Sequence, residues 1–187
     1  NMGAKNRGIA MPDADKEDAL NALTNAAFGA SGQRCMALSV AVLVGDANKW
    51  IPDLVKKAQS FKIGPGNEDG VDLSAVCYPE LRERIISLIK TAEKEGAKLA
   101  LDGTSYVHPK YKTGNFVGPT IITNVTADMT VYKEEIFGPA LVVVSQPDLQ
   151  SAINFINANA WGNGAAIFTK SGSCARKFQY ECEAGQL

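Results

Sequence analysis

The sequence predicts an α/β fold, a largely parallel sheet with helices on both faces. Three observations carry that expectation. β-Branched runs such as 38–44 and 140–144 alternate with stretches whose apolar residues recur at helical spacing. The runs are apolar at successive positions, as in strands covered on both sides. The helical stretches last roughly 10 to 17 residues, which suits crossovers between parallel strands.

The chain opens with a short strand through Gly8-Ile9-Ala10-Met11 that turns at Pro12-Asp13. Asp13 or Asp15 then caps a helix with Ala19, Leu20, Leu23, Ala26, Ala27 and Ala30 on one stripe. Gly29, Ser31 and Gly32 end that helix and lead to Cys35. Strand 38–44 is bounded by Gly45, and Asp46 begins a second helix with Trp50, Ile51, Leu54, Val55 and Ala58 on one side. The Gly64 to Gly70 stretch is a loop. A third helix covers about 79–95, with Leu81, Ile85, Ile86, Leu88, Ile89 and Ala92 apolar, and Gly96 closes it. Segments 98–101 and 116–122 are extended, with an irregular stretch around His108 between them. Glu134 to Pro139 is a compact turn ahead of strand 140–144. A helix over 148–158, a strand over 165–169 and a helix near 174–182 complete the order. No internal repeat, low-complexity tract or linker divides the chain, so 1–187 reads as one domain. The start at Asn1 and the strand beginning at Gly185-Gln186-Leu187 mark it as a piece of a longer protein.

Composition narrows the function. With 19 basic and 20 acidic residues the net charge is −1, and the cations are scattered, so no basic field exists to hold nucleic acid. No apolar run approaches the roughly 20 residues of a membrane span, and no signal or transit peptide is visible. Four cysteines without a C-x-x-C pair, beside a single histidine, fit neither a disulfide scaffold nor a zinc site. A reducing compartment is the simplest setting.

The chemistry centres on Gly32-Gln33-Arg34-Cys35-Met36-Ala37. Small residues lead to a thiol beside a guanidinium, ahead of a strand, so the sulfur can be reached. The thiolate is the nucleophilic form of cysteine, and a neighbouring cation favours it. Cys35 is therefore a candidate nucleophile, against the alternative of a small buried hydrophobe. Cys174 and Cys182, eight apart on a predicted helix, read as core or half-buried. Cys77 lies in a loop without a charged activator. His108 reads as a surface-loop residue, Trp50 and Trp161 as packing residues, and the spacing leaves Lys5 undecided.

Four segments together resemble a known family: Asn1-Met2-Gly3-Ala4-Lys5, Gly32-Gln33-Arg34-Cys35, Glu134-Glu135-Ile136-Phe137-Gly138-Pro139, and Gly162-Asn163-Gly164-Ala165-Ala166-Ile167-Phe168-Thr169. They are similar to the catalytic domain of the NAD(P)-dependent aldehyde dehydrogenases, end to end and in the family's order. The resemblance implies that the family's cofactor-binding domain is absent from this chain. It also implies that Cys35 attacks an aldehyde to give a thiohemiacetal, and that loss of hydride leaves a thioester. The backbone N–H of Cys35 would be one oxyanion donor. Glu135 would accept hydrogen bonds from the nicotinamide-ribose hydroxyls, and Phe137 would pack beside the nicotinamide. A solvated loop carboxylate and plain core packing are their respective alternatives.

Two departures narrow the branch. The family's more usual first motif is Glu-Leu-Gly-Gly-Lys, whose glutamate activates the hydrolytic water. Asn1 stands there instead, and an amide cannot take that proton near neutral pH. Transfer of the acyl group to coenzyme A is then favoured over release of a free acid. Arg34, directly before the nucleophile, offers a planar fork suited to a substrate carboxylate, or else merely a surface charge near the thiol. With N-M-G-A-K-N and G-Q-R-C-M-A, the chain resembles the CoA-acylating methylmalonate-semialdehyde dehydrogenases. That resemblance implies NAD and coenzyme A, a small semialdehyde substrate, and propionyl-CoA or acetyl-CoA formed with loss of carbon dioxide. It further implies a homo-oligomeric parent, in the mitochondrial matrix of a eukaryote or the cytoplasm of a bacterium; the composition adds the expectation of no metal, nucleic acid or membrane. A hydrolytic aldehyde dehydrogenase tolerant of Asn1 and an inactive folding or assembly module are the competing readings. The isolated piece is expected to be inactive.

Overall fold

The computed structural model describes residues 3–187. Asn1, on which the loss of the hydrolytic base was argued, lies outside them. The elements follow the order β1 (Asn6–Ala10), α1 (Lys16–Phe28), β2 (Leu38–Val44), α2 (Ile51–Gln59), α3 (Pro79–Lys94), β3 (Lys98–Leu101), β4 (Thr120–Thr123), α4 (Thr130–Lys133), β5 (Ala140–Gln146), α5 (Leu149–Asn157), β6 (Ala165–Phe168) and α6 (Gly172–Glu181). The six strands form one sheet in the order β3-β4-β5-β2-β1-β6. All neighbours are parallel except β3, which runs antiparallel to β4 at the sheet edge.

The centre of the sheet is covered twice, and the side chains of β2 show how. Val40, Val42 and Val44 enter the apolar cluster shared with Ile85 and Ile89 of α3 and Ile153 and Ile156 of α5. Ala41 and Leu43, pointing the other way, join Leu20 and Leu23 of α1 and Leu54 of α2. Period-two alternation thus sends one strand into two cores, which is why its sequence is apolar without a polar face.

Local sequence sets the element ends. Asp15 caps α1 by accepting the Asp18 N–H at 3.2 Å, and Asp148 caps α5 by accepting the Ser151 N–H at 2.8 Å. Pro79 opens α3, where a missing N–H costs nothing. The helix expected from Asp46 differs from the one observed. Gly45–Trp50 is a 3₁₀ turn, and α2 starts only at Ile51, followed by Pro52 in its first turn. The short α4 has no counterpart in the periodicity, being too brief to carry one. The extended segment read at 116–122 narrows to β4, because Gly118 instead donates its N–H to the Gly103 carbonyl.

Ile85 does more than fill the core. A Cβ built on Gly138 would lie 2.4 Å from its Cδ1, so this side chain supports the turn before β5 directly. Ile85→Ala should therefore lower the free energy of unfolding by about 3 kcal/mol, read from urea denaturation followed by circular dichroism.

Candidate active site

Four segments meet at one edge of the sheet: the residues before β1, the Cys35 loop before β2, the 134–139 turn before β5, and Gly162-Asn163-Gly164 before β6. Those four strands are mutually parallel, so the segments gather at their amino ends. Open α/β sheets usually hold ligands beyond the carboxyl ends of their strands. Here α1, which runs into the Cys35 loop, presents its carboxyl terminus instead.

The Cys35 loop is bent by its backbone. After α1, Ala30, Ser31 and Gly32 take φ values of 51°, 57° and 69°, a left-handed run that is costly for the two residues bearing a Cβ. The Ser31 hydroxyl, fully buried, donates to the Ser74 carbonyl at 2.5 Å and holds the bend. Gly32 touches the 134–139 turn main chain to main chain. A Cβ there would sit 2.1 Å from the Gly138 carbonyl oxygen. On the other side of that contact, Phe137 is itself left-handed, with φ 56°.

Cys35 is exposed, and its backbone is fixed by two amides. The Asn6 and Asn163 side chains both donate to the Cys35 carbonyl, at 2.8 and 2.9 Å. Asn6 also donates to the Ala37 carbonyl at 2.9 Å and accepts from Asn163 at 3.1 Å. Sequence reasoning places both asparagines within motifs but gives neither a role. The signal is weak: Asn163 between two glycines reads first as turn chemistry, and nothing local marks Asn6.

The Arg34 guanidinium lies across the end of α1, where Nη2 donates to the Asn25 and Ala26 carbonyls at 2.9 and 3.0 Å. A cation there meets orphan carbonyls and the negative end of the helix dipole. Arg34 also lines a cleft together with Asn6, Gly32, Glu135 and Phe137. Three of the four candidate residues thus share one cleft, and Cys35 follows Arg34 in the chain. Glu135 and Phe137 are half-buried.

The turn bearing them is tied down through its main chain. Arg84 donates to the Glu135 and Ile136 carbonyls at 2.8 and 3.0 Å and pairs with the Glu134 carboxylate at 3.8 Å. Lys5, wholly buried, donates from Nζ to the Glu134 carbonyl at 2.8 Å. Burial pushes the Lys5 pKa down to about 7; repulsion from Arg7 and Arg84 adds to this, and attraction to Glu135 and Glu134 opposes it.

The remaining candidates sit apart. Cys77 is exposed and accepts from the Gln33 amide at 3.1 Å, Cys174 is half-buried and Cys182 buried. His108, read as a surface-loop residue, is half-buried: its ring stacks on Phe116 at 4.9 Å, and Nδ1 accepts the Lys110 and Tyr111 N–H groups. Among the described residues no group of three or more His, Cys, Asp or Glu could hold a metal ion, and no helix is long and apolar enough to cross a membrane.

An exposed thiol on a left-handed loop thus directly follows, in the chain, an arginine that lines a cleft with a carboxylate and an aromatic. The match to the aldehyde dehydrogenase family runs over residues 1–187, and the chain belongs to that family. It is 54% identical over 187 residues to the mitochondrial acylating methylmalonate-semialdehyde/malonate-semialdehyde dehydrogenase of Bos taurus, covering 100% of this chain and 35% of the relative. A methylmalonate-semialdehyde dehydrogenase from Oceanimonas doudoroffii superposes with TM-score 0.92 at 46% identity, covering 95% of this chain and 37% of that one. Betaine aldehyde dehydrogenase of Staphylococcus aureus, solved with NAD+, gives TM-score 0.95 at 30% identity over 98% of this chain and 37% of its own. The chain therefore spans about a third of the length of these relatives.

Two expectations follow from the clamp. Gly32→Ala should cost about 3 kcal/mol in urea unfolding, since the new methyl meets a carbonyl in a left-handed conformation. Asn6→Ala, which strips donors from two carbonyls, should cost about 2 kcal/mol in the same measurement.

Proposed function

We propose that the full-length protein is an NAD-dependent, CoA-acylating dehydrogenase of methylmalonate or malonate semialdehyde. In this reading residues 1–187 are its catalytic domain, and the cofactor-binding domain lies outside this chain. The observation that supports this most is exposed Cys35 directly following Arg34, which lines a cleft with Glu135 and Phe137. The named relatives supply the substrate class.

The residues present fit a nicotinamide cofactor. A half-buried carboxylate accepts hydrogen bonds and suits a ribose diol, and Phe137 offers apolar surface beside it. When bound, NAD takes up the hydride. Cys35 Sγ adds to the aldehyde carbon, and the carbonyl oxygen becomes an alkoxide that the Cys35 N–H can stabilise. Departure of hydride from that carbon leaves an acyl thioester on Sγ. The thiol of coenzyme A then attacks the thioester carbonyl, and Cys35 leaves as thiolate. The β-carboxylate departs as carbon dioxide because the neighbouring carbonyl stabilises the carbanion, which is then protonated. Arg34 meets that carboxylate with the part of its guanidinium not given to α1. Asn1 in place of a carboxylate leaves water without a base, which favours the thiol acceptor.

The same reading makes the parent a homo-oligomer, located in the mitochondrial matrix in a eukaryote or the cytoplasm in a bacterium. It also makes the isolated 187 residues, which cover 35% of the length of the acylating relative from Bos taurus, inactive by themselves.

Product analysis with the full-length protein, semialdehyde, NAD and coenzyme A should give acyl-CoA as the main product, and Cys35→Ala should lower the rate by about a thousandfold or more. Free acid as the main product in the presence of coenzyme A, or an undiminished rate without the thiol, would reject the proposal.

A further inference from the structure

Lys5 and Asn6 sit at the amino end of β1 and serve different loops. Successive residues of extended chain point to opposite sides. Asn6 reaches the Cys35 and Ala37 carbonyls, whereas Lys5 reaches the Glu134 carbonyl, one residue before Glu135. The Lys5 ammonium is wholly buried, and that carbonyl is its hydrogen-bond acceptor among the described residues. The charged groups around it come from three elements: Arg7 on β1, Arg84 on α3, and Glu134 and Glu135 on the turn. Arg84 also holds this turn, through the Glu135 and Ile136 carbonyls, so two cationic side chains grip its main chain, in addition to the Glu134 N–H bond to the Thr130 carbonyl and the packing of Gly138 against Gly32 and Ile85.

We infer that Lys5 is a positioning residue whose proton sets how firmly the Glu134–Phe137 turn is held, and hence how well that turn engages the nicotinamide end of the cofactor. The second half rests on the reading of Glu135 and Phe137 given above. The first half rests on the hydrogen bond alone. A charged donor bonds a carbonyl about twice as strongly as a neutral one, so loss of the Lys5 proton loosens the turn without removing the contact.

The folded Lys5 gives up its proton at about 7, whereas the ordinary lysine value is 10.5. The unfolded chain therefore binds more protons between those values, and the Lys5 contribution to global stability rises with pH across that window. The turn moves the opposite way, since its tether weakens as pH rises through 7. A purely structural lysine would not separate these two trends.

The test uses the full-length protein at about pH 6 to 8.5, a window that brackets the Lys5 titration. Hydrogen exchange of peptides covering 134–138, corrected for the intrinsic pH dependence, should speed up about fivefold in the parent, and the NAD dissociation constant from calorimetry should rise by a similar factor. Lys5→Met should bind NAD weakly and show no pH trend in either measurement. Lys5→Gln keeps an N–H donor without a titratable proton, so it should recover part of the affinity and stay flat. A Lys5→Met protein with the parent's pH trend would overturn the inference. If neither variant folds, the parent decides by itself, because corrected exchange that is flat across pH 7 also overturns it. Glu135→Gln separates the two layers: unchanged NAD affinity there would sink the cofactor reading, while exchange at 134–138 would still report on Lys5.

Discussion

Lys5, Asn6 and Arg7 are consecutive, and each is 2% exposed or less. Burying three polar side chains in a row, two of them cationic, is the constraint to which the rest of this edge is adjusted. Unpaired charge in an apolar interior is costly, so each group needs an acceptor. The fold supplies main-chain carbonyls from loops: Glu134 for Lys5, Cys35 and Ala37 for Asn6, and Trp161 for Arg7. Three loops distant in sequence are thereby fixed to one strand. Because β1 lies between β2 and β6, the strand that distributes these bonds is also held on both edges by the sheet. The cost falls on Arg7, whose Nε and Nη2 are buried without a partner among the described residues.

That arrangement explains why a thiol can sit exposed and still be well placed. Cys35 is exposed and contributes little to the core. Its position comes from the carbonyl of its own residue, gripped by two amides, and from the main-chain contact of Gly32 with Gly138. Gly32 has no substitute here: its φ is left-handed, and the space where a Cβ would go is occupied by a carbonyl oxygen. The Cys35 loop and the turn are therefore in main-chain contact, with Ile85 packed against Gly138.

Much of the scaffold was legible from residue pattern. The limits of β2 agree with its β-branched run, and α3 begins at the proline that marked it, because long periodic segments bounded by turn residues leave few alternatives. The loop bearing Cys35 could be located for the same reason, between a helical stripe and a strand. The supporting shell could not. Lysine, asparagine and arginine are residues expected at the surface, and no local pattern announces that three of them will be enclosed by segments distant in the chain. His108 failed for a related reason. A polar, irregular stretch reads as solvent-facing, yet its ring stacks on Phe116, which the chain brings back a few positions later. Arg34 was legible as a cation beside the thiol, but its bond to the end of α1 depends on the left-handed bend at 30–32, which alanine and serine do not signal.

The position of the cleft at the amino ends of the strands has an electrostatic consequence. Crevices at the carboxyl ends receive helix amino termini, whose positive ends favour anions. At this edge α1 arrives with its carboxyl terminus, and its last carbonyls face the loop that carries the thiol. The negative end of a helix, with its orphan carbonyls, is costly unless something offsets it. Arg34 does so by donating to Asn25 and Ala26 directly. One guanidinium thus answers the helix on one side and borders the cleft on the other. The residue preceding Cys35 is therefore constrained twice over, by the end of α1 and by the cleft.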